Sequence, residues 1–423
     1  MTVKLMPGSR SGIAKAPPSK SYAHRLLIAA ALSDRGCVVE NAGTSDDIEA
    51  TAACLSGLGA GITKVSENSL KVTPVKSIGG SAAAILPVRE SGSTLRFLLP
   101  VAGALGVKAE FKMEGRLPER PMADFIAALE KGGMKIEKEG ATLRCGGRLS
   151  AGVYEIPGNV SSQFISGLLF ALPLAGGNSR IVINGKTESK AYIDMTFEVL
   201  KLFKAGITKT EDGFAVEGGK RLEAPEGALV TEGDWSGAAF LLAAGAFSKK
   251  GVTVSGLNLK TEQGDSGIVD ILGKFGATVK KGNGSITVSK GNLKGITIDA
   301  SEIPDLVPVL AITACGAEGR TEITNAKRLR FKETDRLKTT AELIRSLGGT
   351  ADETEDGLVI EGGKLIGGVC ESFSDHRIAM AASLAACITE GAVTVNGAEC
   401  VRKSFPDFFE VFGQLEIEDG GEK

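Results

Sequence analysis

At 423 residues the chain is too long for one ordinary core, so two domains are expected. Its 49 Lys and Arg balance 51 Asp and Glu, and only 5% of residues are aromatic, which argues against a nucleic-acid surface, a base-stacking platform or a basic membrane patch. Seven cysteines without a CxxC read as buried thiols of a reducing compartment, and two histidines (His24, His376) without ligand spacing leave no case for a structural zinc. The first residues hold no apolar signal core, and no apolar run reaches membrane-spanning length, so the cytoplasm is the expected location.

The first long element is "APPSKSYAHRLLIAAAL", residues 16–32. Two prolines lead in, and after Arg25 nothing polar appears before Ser33, so a buried helix with a polar head is predicted. The pattern returns as "STLRFLLPVAGAL", "SQFISGLLFALPLA", "SGAAFLLAAGAF", "DLVPVLAITAC" and "DHRIAMAASLAAC". These copies start at Ser21, Ser93, Ser162, Ser236, Asp305 and Asp375, spaced 72, 69, 74, 69 and 70 residues apart. A second series runs between them. It joins an amphipathic helix to a turn and a short strand at Leu55, Leu129, Leu200, Leu272, Ile344 and Phe409, at spacings of 74, 71, 72, 72 and 65. Several copies continue into hairpins such as "EDGFAVEGG" and "EDGLVIEGG".

Two series that agree imply six α/β units. Three per domain is the expected grouping, with apolar helices inside and sheets plus amphipathic helices outside. The sixth unit is short, and "TVKLMP" at the N-terminus is a candidate to complete it. The expected domains are therefore 19–230 and 1–18 plus 231–423, with crossings near Ala16–Ser19 and Leu229–Gly233.

The polar heads read first as ordinary N-caps: Ser21, Ser93, Ser161 with Ser162, Ser236, Asp305 and Asp375. Capping needs no cation, yet Lys20, Arg25, Arg96, His376 and Arg377 stand among them. A helix N-terminus is already positive, so such cations imply a bound anion, and a multiply charged, phosphorylated substrate is expected in a cleft between the domains. Further basic stretches are "GRLPERPM" with Arg116 and Arg120, "KRLRFKETDRL" with Lys327, Arg328, Arg330, Lys332 and Arg336 around Glu333 and Asp335, and "VRKSFPDFF" with Arg402 and Lys403. Taken alone, "GRLPERPM" also reads as a plain surface loop, "KRLRFKETDRL" reads equally well as a solvated, salt-bridged helix start, and "VRKSFPDFF" reads as an ordinary basic turn. Lys20→Met is expected to leave stability equal or raised, since Ser21 can cap the helix without the ammonium.

Together "PPSKSYAHRLL", "ESGSTLRFL", "GRLPERPM", "GNVSSQFISGLL", "SKAYIDMT", "IPDLVPVLA", "RFKETDRL", "SDHRIAMA" and "RKSFPDFF" resemble the signature segments of the EPSP synthases, over essentially the whole chain. The resemblance implies an enolpyruvyl transferase-like, inside-out α/β barrel of two domains. It implies transfer of the enolpyruvyl group of phosphoenolpyruvate to the 5-hydroxyl of shikimate 3-phosphate by addition and elimination, in the shikimate pathway to chorismate and aromatic amino acids. By motif position Lys20 would touch both substrates. Ser21, Arg25, Ser161, Ser162, Gln163, Ser189, Tyr192, Asp305 and Lys332 would hold shikimate 3-phosphate, and Gly92, Arg120, Arg336, Arg377 and Lys403 phosphoenolpyruvate. Asp305, Glu333 and Lys20 would be the catalytic groups. No cofactor, metal, nucleic acid or membrane partner is implied, and a monomer is expected.

Two features depart from the usual family pattern, "ESGST" with Glu90 and Ser91, and Arg328. Two other readings stay open from the residues. One is the sister transferase acting on UDP-N-acetylglucosamine, whose loop often carries a cysteine that "EGRLPERPM" lacks. The other is a non-catalytic anion-binding repeat protein, which would not need Asp305 and Glu333 among cations.

Overall fold

The computed structural model describes residues 1–76 and 83–418. The chain divides into two compact units, Met1–Pro17 with Glu232–Lys423, and Pro18–Thr231. Each is an α/β body with its own apolar core.

Within each unit the repeat becomes a recurring pattern of strand, buried helix, parallel strand, amphipathic helix and hairpin. In the second repeat, Ala84–Arg89 runs parallel to Ala109–Met113 across the helix Gly92–Leu105, and Met134–Glu139 with Thr142–Gly147 adds the antiparallel hairpin. The same order recurs in the sheets built on Val153–Pro157 and on Thr297–Asp299. Parallel neighbours need a crossover between them, and here the apolar helix supplies it. The first repeat of each unit borrows its leading strand. Leu229–Val230 lies parallel to Cys37–Glu40, and Arg10–Lys15 lies parallel to Val252–Ser255. At the chain's start, Thr2–Leu5 pairs antiparallel with Val393–Asn396 of the sixth repeat.

The buried helices fill the centres. Trp235–Gly245, Val307–Cys315 and His376–Ala385 pack on one another in the unit holding both termini, and their residues are almost wholly buried. In the other unit Gly92–Leu105 packs on Ser162–Ala171, with Phe97 against Phe170 at 5.6 Å between ring centres. Pro100 lies inside Gly92–Leu105 and gives no N–H to the carbonyl of Arg96. Gly167 of the facing helix packs against that carbonyl, where a β-carbon would collide with it. All seven cysteines are free, six of them buried. No helix among the described residues is long and apolar enough to cross a membrane.

Four cap assignments need correction. The side chains that cap the first, second and fourth buried helices are Ser19, Ser91 and Asp234, each two residues upstream of the expected Ser21, Ser93 and Ser236. Ser161 and Asp375 do cap their helices. Asp305 does not hold the cap position: it sits in the 3-10 turn Pro304–Leu306, ahead of a helix whose cap position is Leu306.

Candidate active site

In the unit Pro18–Thr231, the early helix starts draw the polar heads into two hydrogen-bonded groups. Because Ser19 takes the cap position, Lys20 opens the helix Lys20–Ala31, and its Nζ donates to Asp47 Oδ2 at 2.9 Å. One turn on, Arg25 is buried, and its guanidinium donates to Thr196 Oγ1 at 2.8 Å, the Ser21 carbonyl at 2.7 Å and the Tyr192 carbonyl at 2.8 Å. Burial pulls the Arg25 guanidinium down to about 10, against the opposing pull of Tyr192 and Tyr22. Ser189 takes the left-handed conformation (φ 51°) at the start of Lys190–Leu202, the helix that carries Tyr192 and Thr196.

The second group joins the helices Gly92–Leu105 and Ser162–Ala171. Arg96 Nη1 donates to Gln163 Oε1 at 2.7 Å, and Gln163 Nε2 donates to Ser93 Oγ at 2.8 Å. At Gly92 a β-carbon would stand 3.0 Å from Arg120 Nη1 and 3.1 Å from Arg96 Nη1, so the missing side chain leaves room for two guanidinium ends. Glu90 accepts from the Arg116 backbone N–H at 3.3 Å, which gives the departing residue of "ESGST" a place in the loop of Arg120.

In the unit holding both termini, the "KETDR" and "DHR" segments converge on one guanidinium. Arg336 is 2% exposed. Its Nη1 lies 2.9 Å from Asp305 Oδ1, its Nη2 2.7 Å from Glu333 Oε2, and its Nε 2.7 Å from Asp375 Oδ2. Of the two readings of this stretch, the solvated helix start holds for Asp335, which caps the helix Arg336–Ser346 and pairs with Arg330 at 2.8 Å, while Arg336 turns inward. Lys332 Nζ and Arg377 Nη2 lie 3.5 Å and 3.7 Å from Asp305. Lys403 is buried at the end of the 3-10 helix Ala398–Lys403, which packs against His376–Ala385.

Burial alone would raise the proton affinity of Asp305. Lys332, Arg377 and Arg336 outweigh it and hold the carboxyl well below the usual range. Burial pulls Lys332 down, against Asp305, which pulls it up. The expectation that every head cation needs a bound anion is also corrected in part: Lys20 is met by a carboxylate of the protein itself, as is Arg336 of the basic stretch "KRLRFKETDRL". Arg377 differs, because its Nε and Nη1 are buried with no hydrogen-bond partner among the described residues.

Two participants carried too little signal to be read as site residues. Asp375 sits inside "SDHR", where its capping role hides its second role as a ligand of Arg336. Asp47 lies 27 residues from Lys20 in an acidic first turn that reads as ordinary. No group of three or more His, Cys, Asp or Glu among the described residues could hold a metal ion.

The low proton affinity of Asp305 has a consequence for stability. A carboxyl that binds protons more weakly when folded adds stability above the ordinary Asp value, roughly pH 4, and loses it as pH falls through the folded value. Asp305→Asn is therefore expected to destabilise the protein at pH 7, and the difference from the parent should shrink progressively in acid. Thermal melts of both proteins between pH 7 and pH 3 check this, and a constant difference would contradict it.

A family model described as EPSP synthase (3-phosphoshikimate 1-carboxyvinyltransferase) matches residues 6–412. The 3-phosphoshikimate 1-carboxyvinyltransferase of Clostridium acetobutylicum is 42% identical over 419 residues, covering 98% of this chain and 97% of that protein. The enzyme of the same description from Clostridium kluyveri is 41% identical over 424 residues, covering 99% and 97%. The solved EPSP synthase of Acinetobacter baumannii superposes with a TM-score of 0.81 at 26% identity, over 98% of both chains. With the family's architecture present in both units and its signature segments gathered at the heads of their buried helices, the chain belongs to the EPSP synthase family.

Proposed function

We propose that the helix-head groups of the two units act together on one pair of substrates. The family's reaction joins phosphoenolpyruvate and shikimate 3-phosphate to give 5-enolpyruvylshikimate 3-phosphate and phosphate. The observation that carries the assignment of roles is Asp305: a carboxylate outside the cap position of its helix, kept ionised by Lys332, Arg377 and Arg336 beside Glu333.

The chemistry uses these groups as follows. Asp305 takes the proton of the 5-hydroxyl as its oxygen attacks C2 of phosphoenolpyruvate. Glu333 or Lys20 delivers a proton to C3, and the tetrahedral centre then expels phosphate and loses a proton to regenerate the enol ether. Positioned proton transfers of this kind contribute roughly 10²–10⁴-fold. Lys20, Ser21, Arg25, Ser161, Ser162, Gln163, Ser189, Tyr192 and Lys332 orient shikimate 3-phosphate. Gly92, Arg120, Arg336, Arg377 and Lys403 receive phosphoenolpyruvate, the guanidinium forks matching carboxylate and phosphate. The enzyme works in the cytoplasm as a monomer.

Phosphate release should require both substrates. Release with phosphoenolpyruvate alone, or none with the pair, would reject the assignment. Gly92→Ala tests the phosphoenolpyruvate side. The new β-carbon pushes on the flexible ends of Arg120 and Arg96 rather than on backbone, so the fold should hold. KM for phosphoenolpyruvate should rise at least several-fold with little change for shikimate 3-phosphate, as steady-state kinetics will show. Equal changes in both KM values would mean that Gly92 serves packing alone.

A further inference from the structure

Asp265 is a buried carboxylate that no role above uses. It lies in the short turn Gly264–Gly267, is 2% exposed, and accepts a short hydrogen bond from Ser236 Oγ at the head of the helix Trp235–Gly245. Its Oδ1 is buried with no hydrogen-bond partner among the described residues. The helix Trp235–Gly245 packs against both this turn and the turn Pro304–Leu306 that carries Asp305, and a β-carbon at Gly267 would stand 4.0 Å from Ile303 beside that turn. The charged groups that act on Asp265 include Asp305, Arg377 and Asp234. Arg377, which lies 3.7 Å from Asp305, has its own Nε and Nη1 buried with no hydrogen-bond partner among the described residues.

We propose that Asp265 is a positioning residue that tunes Asp305 as a base, its charge offsetting the cations that surround Asp305 and Ser236 holding that charge in place. The proposal rests on the assignment of Asp305 as the base for the 5-hydroxyl. The physical need is plain. Lys332, Arg377 and Arg336 keep Asp305 ionised but also make it a weak base. A negative charge in the same buried region raises its proton affinity without touching substrate. Asp265 can supply or withdraw that charge near neutrality: burial and Asp305 push its carboxyl up to about 7, against Arg377 and the Ser236 hydrogen bond, which hold it down. The two carboxylates then titrate as a linked pair.

Three variants test this through the pH profile of kcat between pH 5.5 and 9, with melting curves at each pH. The parent should show a rising limb near pH 7. In Asp265→Asn the limb should vanish, with kcat at pH 8 reduced several-fold. In Ser236→Ala the loss of the donor raises the proton affinity of Asp265, so the limb should move to higher pH. The stability readout has a definite sign. A carboxyl whose proton affinity is raised on folding loses stability for the fold as pH climbs from about 4 towards its folded value. Asp265→Asn should therefore gain thermal stability relative to the parent between pH 5 and pH 7. A limb unchanged in both variants would overturn the proposal, even if kcat fell uniformly. If Asp265→Asn does not fold, the Ser236→Ala limb alone decides. Asp305→Asn separates the levels: near-parental turnover in that variant rejects Asp305 as the base, whereas its inactivity beside an unmoved Asp265→Asn limb rejects only the tuning role.

Discussion

Replacing Arg336 by Met is expected to destabilise the unit that holds both termini by about 3–5 kcal/mol, the range for stripping one partner from a buried ion network. The cause is geometric. One guanidinium meets Asp305, Glu333 and Asp375 at 2.9, 2.7 and 2.7 Å, and the group is buried. Methionine fills much of the volume but leaves three carboxylates facing one another without the guanidinium that joins them. Their mutual repulsion raises the proton affinity of each, so part of the penalty should be relieved on acidification. Lysine is a poor substitute, because one ammonium cannot meet three carboxylates set around a planar fork. Since the two units need not unfold together, a single global transition is the wrong observable. Hydrogen exchange resolves the effect locally. Protection should drop in Arg336–Ser346 and His376–Ala385, and stay at parental level in Gly92–Leu105 and Ser162–Ala171. Parental protection in the first two helices would mean that the network contributes nothing to stability.

The same network shows where sequence reasoning succeeds and where it stops. The six repeats were legible because each unit must bury one helix nearly all round, and such a helix cannot hide among amphipathic ones. Helix starts were legible only to within two residues. Ser19 and Ser91 cap where Ser21 and Ser93 looked equally suitable, because any serine near an apolar run satisfies the pattern. The exchanged leading strands were not legible: Leu229–Val230 is two residues long and carries no periodicity. Asp305 and Glu333 stood out only through family resemblance, because a carboxylate at a helix head ordinarily reads as a cap. Asp47 and Asp265 gave no signal at all. Their importance comes from what tertiary packing places beside them, a lysine in one case and the Ser236 hydroxyl at a buried helix head in the other.

Asp47 changes what Lys20→Met should do. With Ser21 as a cap and the ammonium as a surplus cation, removal of the charge would stabilise the helix. The structure shows instead a partly buried pair, Lys20 Nζ to Asp47 Oδ2 at 2.9 Å, with side-chain exposures of 17% and 7%. Breaking a hydrogen bond to a charged group costs about 1–3 kcal/mol, so Lys20→Met should melt lower than the parent while remaining folded through its Ser19 cap and apolar body. Activity should fall much further. On the proposed reading Lys20 faces both substrates while charge moves from enol ether to departing phosphate, and losing one positioned electrostatic group typically costs 10²–10³-fold, about 2.7–4 kcal/mol. Lys20→Arg keeps the charge and can still pair with Asp47, so it should recover most of the stability but little of the turnover, because a planar fork cannot occupy a point-charge position. That divergence is the decisive result. If stability and turnover return together in Lys20→Arg, the ion pair with Asp47 is what activity depends on, and Lys20 acts through structure. If Lys20→Met keeps near-parental turnover, the head of Lys20–Ala31 lies outside the active site.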